Sequence, residues 1–341
     1  MALATLQRFV LVAFGALTVS CSGAPKEFDQ SSAPSPVRVD HHVHLNSPAI
    51  EAYLPEYCRG VARFGPCDPA LTTHRSTEDL LKEMDGAGVR RAILVSNGYL
   101  AVSSMVKPVR TDVAQTLRAA NEWTVLQAQT HPDRFSAFIA VDPTRPDALE
   151  EIAHWRGRTG LAGVKLHLTA SGSNLRDSGD VADLAQVFRA ASEARLAILI
   201  HMRTQRMDYG AEDVRRFVTE VLPYAKGAPV QIAHAGGWGE VDAATLSSLG
   251  AFADLGEADP ASISNVWFDL SGVLKPSTPP ETREALAKLV RRIGPQHFLA
   301  GSDWPFTTDL ADLFGPAYPQ IPLSLEDVAT IRRNIAPYAA H

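Results

Sequence analysis

Residues 37–47 read VRVDHHVHLNS, an apolar β-branched run that ends in one aspartate and three histidines within positions 40–44. The chain has eleven histidines in 341 residues, so such clustering asks for a cause. Read as a strand, the stretch places residues i and i+2 on one face. His42 and His44 then point together, with Asp40 one step deeper on the same side, while His41 and Val43 point away. Two neighbouring imidazoles can chelate one divalent ion. Asp40 would orient a ligand or join an interior network. His41 reads as a capped or solvated side chain facing outward.

Seven more short runs of Val, Ile, Leu, Phe and Ala follow, at 91–96, 135–142, 162–168, 196–201, 230–235, 266–272 and 298–304. Their near-continuous apolar character suits strands buried on both faces. Amphipathic stretches separate them. One is STEDLLKEMDGAG (76–88), which opens on a Ser76 or Thr77 cap and closes on glycines. Eight strands and eight helices in strict alternation predict an α/β chain folded as a (β/α)8 TIM barrel over residues 37–338. A doubly wound sheet would carry a Gly-rich dinucleotide turn, and the sequence has none.

The remainder of the chain speaks to compartment and partners. Residues 1–21 carry Arg8, an apolar run from Phe9 to Val19 and the sequence LTVSC ending at Cys21. This is the pattern of a secretory signal peptide, too short in its apolar part to span a bilayer. LTVSC resembles a bacterial lipobox, which makes Cys21 the expected lipidation site. Residues 22–36, rich in Ser, Pro and Ala, read as a flexible tether. The two other cysteines, Cys58 and Cys67, are expected to form a disulfide in an oxidising compartment, worth roughly 2–3 kcal/mol. The expectation is therefore an exported, periplasmic, membrane-anchored lipoprotein. A net charge of −6 gives no reason to expect nucleic acid, and any membrane contact would come from the anchor. A small-molecule substrate is the expected partner, with a homodimer as a further expectation.

A barrel of this kind builds its site at the C-terminal ends of the strands. Besides His42 and His44, those ends carry Lys165 and His167 on the fourth strand, His201 on the fifth, His234 in AHAGG on the sixth and Asp303 in GSDWP on the eighth. Histidine and aspartate recurring at independent strand ends predict a divalent metal site. Arg203 can clamp a substrate carboxylate bidentately. Trp238 and Trp304 can wall an apolar pocket, with outward packing the alternative for Trp304; Ser271 in DLSG faces the same way as Asp269 to line the mouth, and the segment after the first strand can act as a lid or stand as a surface loop.

HxH, then Lys, His, HAGG and GSDWP in this order resemble the amidohydrolase superfamily. LLKEMDGAGVRRAILVS, HPDRFSAFIAVDP and AGVKLHL narrow the likeness to the branch with aminocarboxymuconate-semialdehyde decarboxylase and related lactonases. The resemblance spans residues 37–337. It implies metal ligation by His42, His44, His201 and Asp303, with His234 polarising the substrate or assisting an attacking water. In binuclear relatives a carboxylated lysine bridges two metals, so Lys165 would bridge and His201 and His234 would bind the second ion. A lysine paired with an interior aspartate is the alternative. One zinc ion is favoured over two, although His/Asp sites accept other divalent metals. Such a metal lowers the pKa of bound water from ~15.7 toward ~7, and Asp303 is suited to act as general base. The leading expectation is hydrolysis of an amide, lactone or other ester. The alternative is non-oxidative decarboxylation of a small unsaturated or aromatic acid. A barrel kept only for binding would have lost part of this ligand set, and here the set is whole.

Overall fold

The computed structural model describes residues 35–107 and 111–340. The proposed signal segment with Cys21, and residues 22–34 of the tether, lie outside the described residues. Strands β1 (Val39–His44), β2 (Arg91–Val95), β3 (Phe135–Ala140), β4 (Leu161–His167), β5 (Ala197–His201), β6 (Val230–Ile232), β7 (Val266–Asp269) and β8 (Phe298–Leu299) form one sheet in sequential order. Every neighbouring pair is parallel. β8 is short, and the chain beyond it closes the ring: His41 N–H donates to Ala300 O (3.0 Å), Asp303 N–H to His42 O (2.9 Å) and His44 N–H to Trp304 O (2.7 Å). The fold is the (β/α)8 barrel that the alternation predicts.

Two apolar layers hold it. Outward residues such as Ala92, Leu94, Val164 and Leu166 pack beneath the helices. Inward ones, among them Val39, Ile93, Val95, Phe138 and Leu199, fill the barrel. The interior is tight enough to demand a glycine: a Cβ on Gly163 would stand 2.2 Å from the Phe138 ring and 2.5 Å from Ala197 O. The helix Thr77–Ala87 starts at Ser76, whose hydroxyl caps Asp79 N–H while the Asp79 carboxylate accepts from Ser76 N–H.

Two local features differ from the sequence reading. First, the β1–β2 register slips between Asp40 and Val43, so strict alternation fails there. His41 is buried rather than solvated. Its Nδ1 donates to Ala300 O (2.9 Å), Nε2 accepts from Ala336 N–H (3.2 Å), and its ring stands edge-on to Tyr338 inside the barrel. Asp40 turns to the β1–β8 seam, its Oδ1 accepting from the backbone of His42 and Ser302. Second, the segment after β1 is no open loop. Ser47 caps a helix, Pro48–Val61, that buries Ile50, Tyr53, Leu54 and Tyr57 against Leu100 and Ala120. Cys58 and Cys67 are joined by a disulfide at its end.

Candidate metal centre

β1 brings His42 and His44 to one point. His42 Nδ1 lies 3.0 Å from Asp269 Oδ2, and His44 Nδ1 lies 3.0 Å from Val95 O. A carboxylate and a carbonyl only accept, so each Nδ1 carries the proton and each Nε2 keeps its lone pair. Burial holds both imidazoles below their ordinary pKa, His44 well below it, with the Lys165 charge adding to the effect on each. The two Nε2 atoms face each other at 3.1 Å. Two lone pairs so close repel unless a cation lies against both. Asp303 Oδ1 stands 3.8 Å from the one and 3.6 Å from the other. His42, His44 and Asp303 thus form a group that fits a divalent metal.

Beneath them lies a carboxylate that the sequence reading left without a role. Asp269, fully buried at the end of β7, receives His42 Nδ1–H and Gln231 Nε2–H on Oδ2. Its Oδ1 receives His234 N–H, Ser271 N–H and Ser271 Oγ–H. Burial alone would push this carboxyl up; the hydrogen bond from His42, with lesser help from His234 and Ser271, holds it well below the usual carboxylate range. The signal was its place two residues before Ser271 on the same face of DLSG. Ser271 itself lies beneath the mouth, bridging Asp269, His42 and His234.

His234 Nδ1 donates to the carbonyl oxygen of Ser271 at 2.8 Å. His201 stands apart from the tight group: its ring stacks on His167 at 4.0 Å and meets His234 at 5.3 Å. Its buried Nδ1 has no hydrogen-bond partner among the described residues. Lys165 is buried with Nζ 3.4 Å from His42 Nε2, and no carboxylate among the described residues forms an ion pair with it. The alternative reading of Lys165, an ion pair with an interior aspartate, is therefore not formed among the described residues. Burial pushes its ammonium down to about 8. Asp303 and His234 sit at φ +60° and +53°, in the left-handed region that non-glycine residues seldom occupy.

A cavity of about 1120 Å³ opens above these groups, with His44, Lys165, His167, His201, His234 and Asp303 on its floor. Tyr57, Tyr99, Trp238 and Phe306 contribute aromatic walls, and Tyr57, Asp68 and Leu71 bring the disulfide-bearing segment into the lining. Trp238 takes its expected place. Trp304 is instead packed in the core. Arg203 binds both Asp242 oxygens at 3.1 Å and stacks over Tyr209, outside the lining.

A parallel barrel with imidazoles and a carboxylate converging at its strand ends is the build of a metal-dependent barrel enzyme. Residues 39–335 match the family described as Amidohydrolase, and the chain belongs to that family. No curated protein matches it in sequence. Among solved structures it is similar to 5-carboxyvanillate decarboxylase from Sphingomonas paucimobilis (TM-score 0.61, 17% identity, covering 87% of this chain and 97% of that one). It is also similar to 2,6-dihydroxybenzoate decarboxylase from Rhizobium (0.59, 17%, 87% and 96%). A third is an amidohydrolase from Burkholderia multivorans with bound zinc (0.57, 17%, 87% and 96%). At such identities these likenesses establish the fold.

Proposed function

We propose that the protein is a metal-dependent, non-oxidative decarboxylase of a small aromatic or unsaturated carboxylic acid. The carrying observation is Lys165: a buried cation with no ion-pair partner among the described residues, on the floor of an aromatic-walled cavity beside His42, His44 and Asp303. A substrate carboxylate supplies the missing partner, and the rings of Tyr57, Tyr99 and Trp238 supply a surface for a flat apolar body. The decarboxylases among the similar structures support the same reading.

One ion held by His42, His44 and Asp303, with His201 completing the set, would polarise a substrate oxygen and acidify bound water. The protein residues supply the rest. Lys165 holds the carboxylate, and the aromatic walls exclude water. The bond between the carboxyl carbon and its neighbour breaks, the electron pair stays on that neighbour, and carbon dioxide leaves. A proton drawn from solvent is then passed by way of Asp303 to the vacated carbon.

Hydrolysis of an amide, lactone or other ester is the second reading. His234 favours it, since it lines the cavity with Nδ1 anchored to the Ser271 carbonyl, placed to assist an attacking water. Turnover of a panel of carboxylic acids and lactones in deuterium oxide and in ¹⁸O-water separates the two. Carbon dioxide release with deuterium at the vacated carbon is expected; solvent oxygen in the product without carbon dioxide sinks the decarboxylase.

The N-terminal sequence supports export and lipid anchoring at Cys21. Cys21→Ala should move the protein from the membrane fraction to the soluble one, and unchanged fractionation would refute the anchor.

A further inference from the structure

The C-terminal turn Pro337–Ala339 places Tyr338 at the end of the barrel opposite the cavity, among the first residues of several strands. Its ring meets Phe138 edge-on at 5.1 Å, and its hydroxyl donates to Gln231 Oε1. Gln231, buried on β6, gives both amide hydrogens to oxygens that only accept: Asp269 Oδ2 at 2.5 Å and the His41 carbonyl at 3.1 Å. The amide nitrogen must therefore face Asp269, and Oε1 must face Tyr338. A reversed amide would set Oε1 against the Asp269 carboxylate. From there the chain of bonds runs through Asp269 to His42 Nδ1, across the ring from the Nε2 that faces His44.

We propose that Tyr338 is a positioning residue for the metal centre: through Gln231 it fixes Asp269 against His42 Nδ1 and so aims the His42 Nε2 lone pair. The inference rests on the reading of His42 as a metal ligand. It assigns work to the extreme C-terminus, and to the barrel floor, that a mere plug would not have. His41 supports the same arrangement, because its Nε2 holds Ala336 N–H two residues before Tyr338.

Tyr338→Phe keeps the plug and removes only the hydroxyl. Zinc alone is the probe, its dissociation constant read by chelator competition on the full chain. Partners behind a metal ligand typically contribute 10- to 100-fold to affinity. One link further out, Tyr338→Phe should weaken zinc roughly 3- to 10-fold, and Gln231→Met about 10-fold. In the Gln231→Met background, Tyr338→Phe should add nothing, since the link is already cut. Unchanged zinc affinity in Tyr338→Phe, or independent losses in the double variant, would overturn the proposal. If Tyr338→Phe does not fold, Gln231→Glu reads the same link, because it sets a second carboxylate against Asp269. It should weaken zinc at least as much as Gln231→Met; wild-type affinity there also overturns the proposal. Wild-type zinc affinity in His42→Ala would instead remove the underlying reading of the site.

Discussion

At the scale of single residues, the backbone at Asp303 shows what the site asks of one side chain. Its φ of +60° is tolerated by Asp and Asn far better than by most residues. Asp303→Asn should therefore fold normally while losing the proton carrier, with kcat falling about 10²- to 10⁴-fold. A variant with near wild-type kcat would remove Asp303 from the chemistry. Lys165 makes the opposite trade. Lys165→Met replaces a buried, unpaired ammonium with an apolar chain of similar length, so its melting temperature should rise. KM for a carboxylate substrate should rise by roughly 10-fold or more, the weight of one charge-assisted hydrogen bond at about 1.5–3 kcal/mol. An unchanged KM would count against carboxylate binding at this lysine. Legibility in the sequence was uneven at this scale. His42 and His44 share a face because they are two apart, and Asp303 is marked by its place after the last strand. Asp40 and His41 were assigned to the wrong faces, because one register slip between Asp40 and Val43 is invisible in a run of six strand-forming residues. Asp269 looked ordinary because its importance lies in partners from β1, from β6 and from the turn that follows β6.

Elements follow a different logic, since their existence depends on repetition and their detail on neighbours. The strands were readable from composition because both faces are buried. The Pro48–Val61 helix was not, although Ser47–Pro48 and the apolar spacing 50, 53, 54, 57, 61 carry a helix signal; Pro55 and the nearby cysteines obscured it. β4 gives a sharp test of interior packing. Gly163→Ala would drive a methyl into Phe138 and Ala197 O, and should destabilise the protein by about 1–3 kcal/mol, read by denaturant unfolding. A neutral result would mean that the interior is looser than it is drawn. The disulfide gives a second. Cys58→Ser should cost roughly 2–3 kcal/mol and also raise KM, because Tyr57 and Leu71 on this segment line the cavity.

For the whole molecule, stability should answer to both ligand and pH. Zinc at 100 times its dissociation constant should add about 2.7 kcal/mol, so a chelator should lower the melting temperature of the loaded protein. Burial holds the Asp142 carboxyl above its ordinary value. The folded chain therefore keeps a proton that the unfolded chain has lost. That contribution is full below the unfolded pKa of about 4 and is lost as pH rises through the folded one. Asp142→Asn keeps the acceptor for Thr144 and removes the titration, so its melting temperature should gain on wild type as pH rises through this window. A constant difference at every pH would refute it. The seam has one more consequence, which concerns time. His41, His42 and His44 bond to residues 300–304, so the barrel closes between the first strand and the segment that follows the eighth. A nascent polypeptide carries the paired imidazoles about 260 residues before Asp303 and the closing bonds are made. Chains that stop short of residue 303 should therefore be unable to compete for a metal ion at this site.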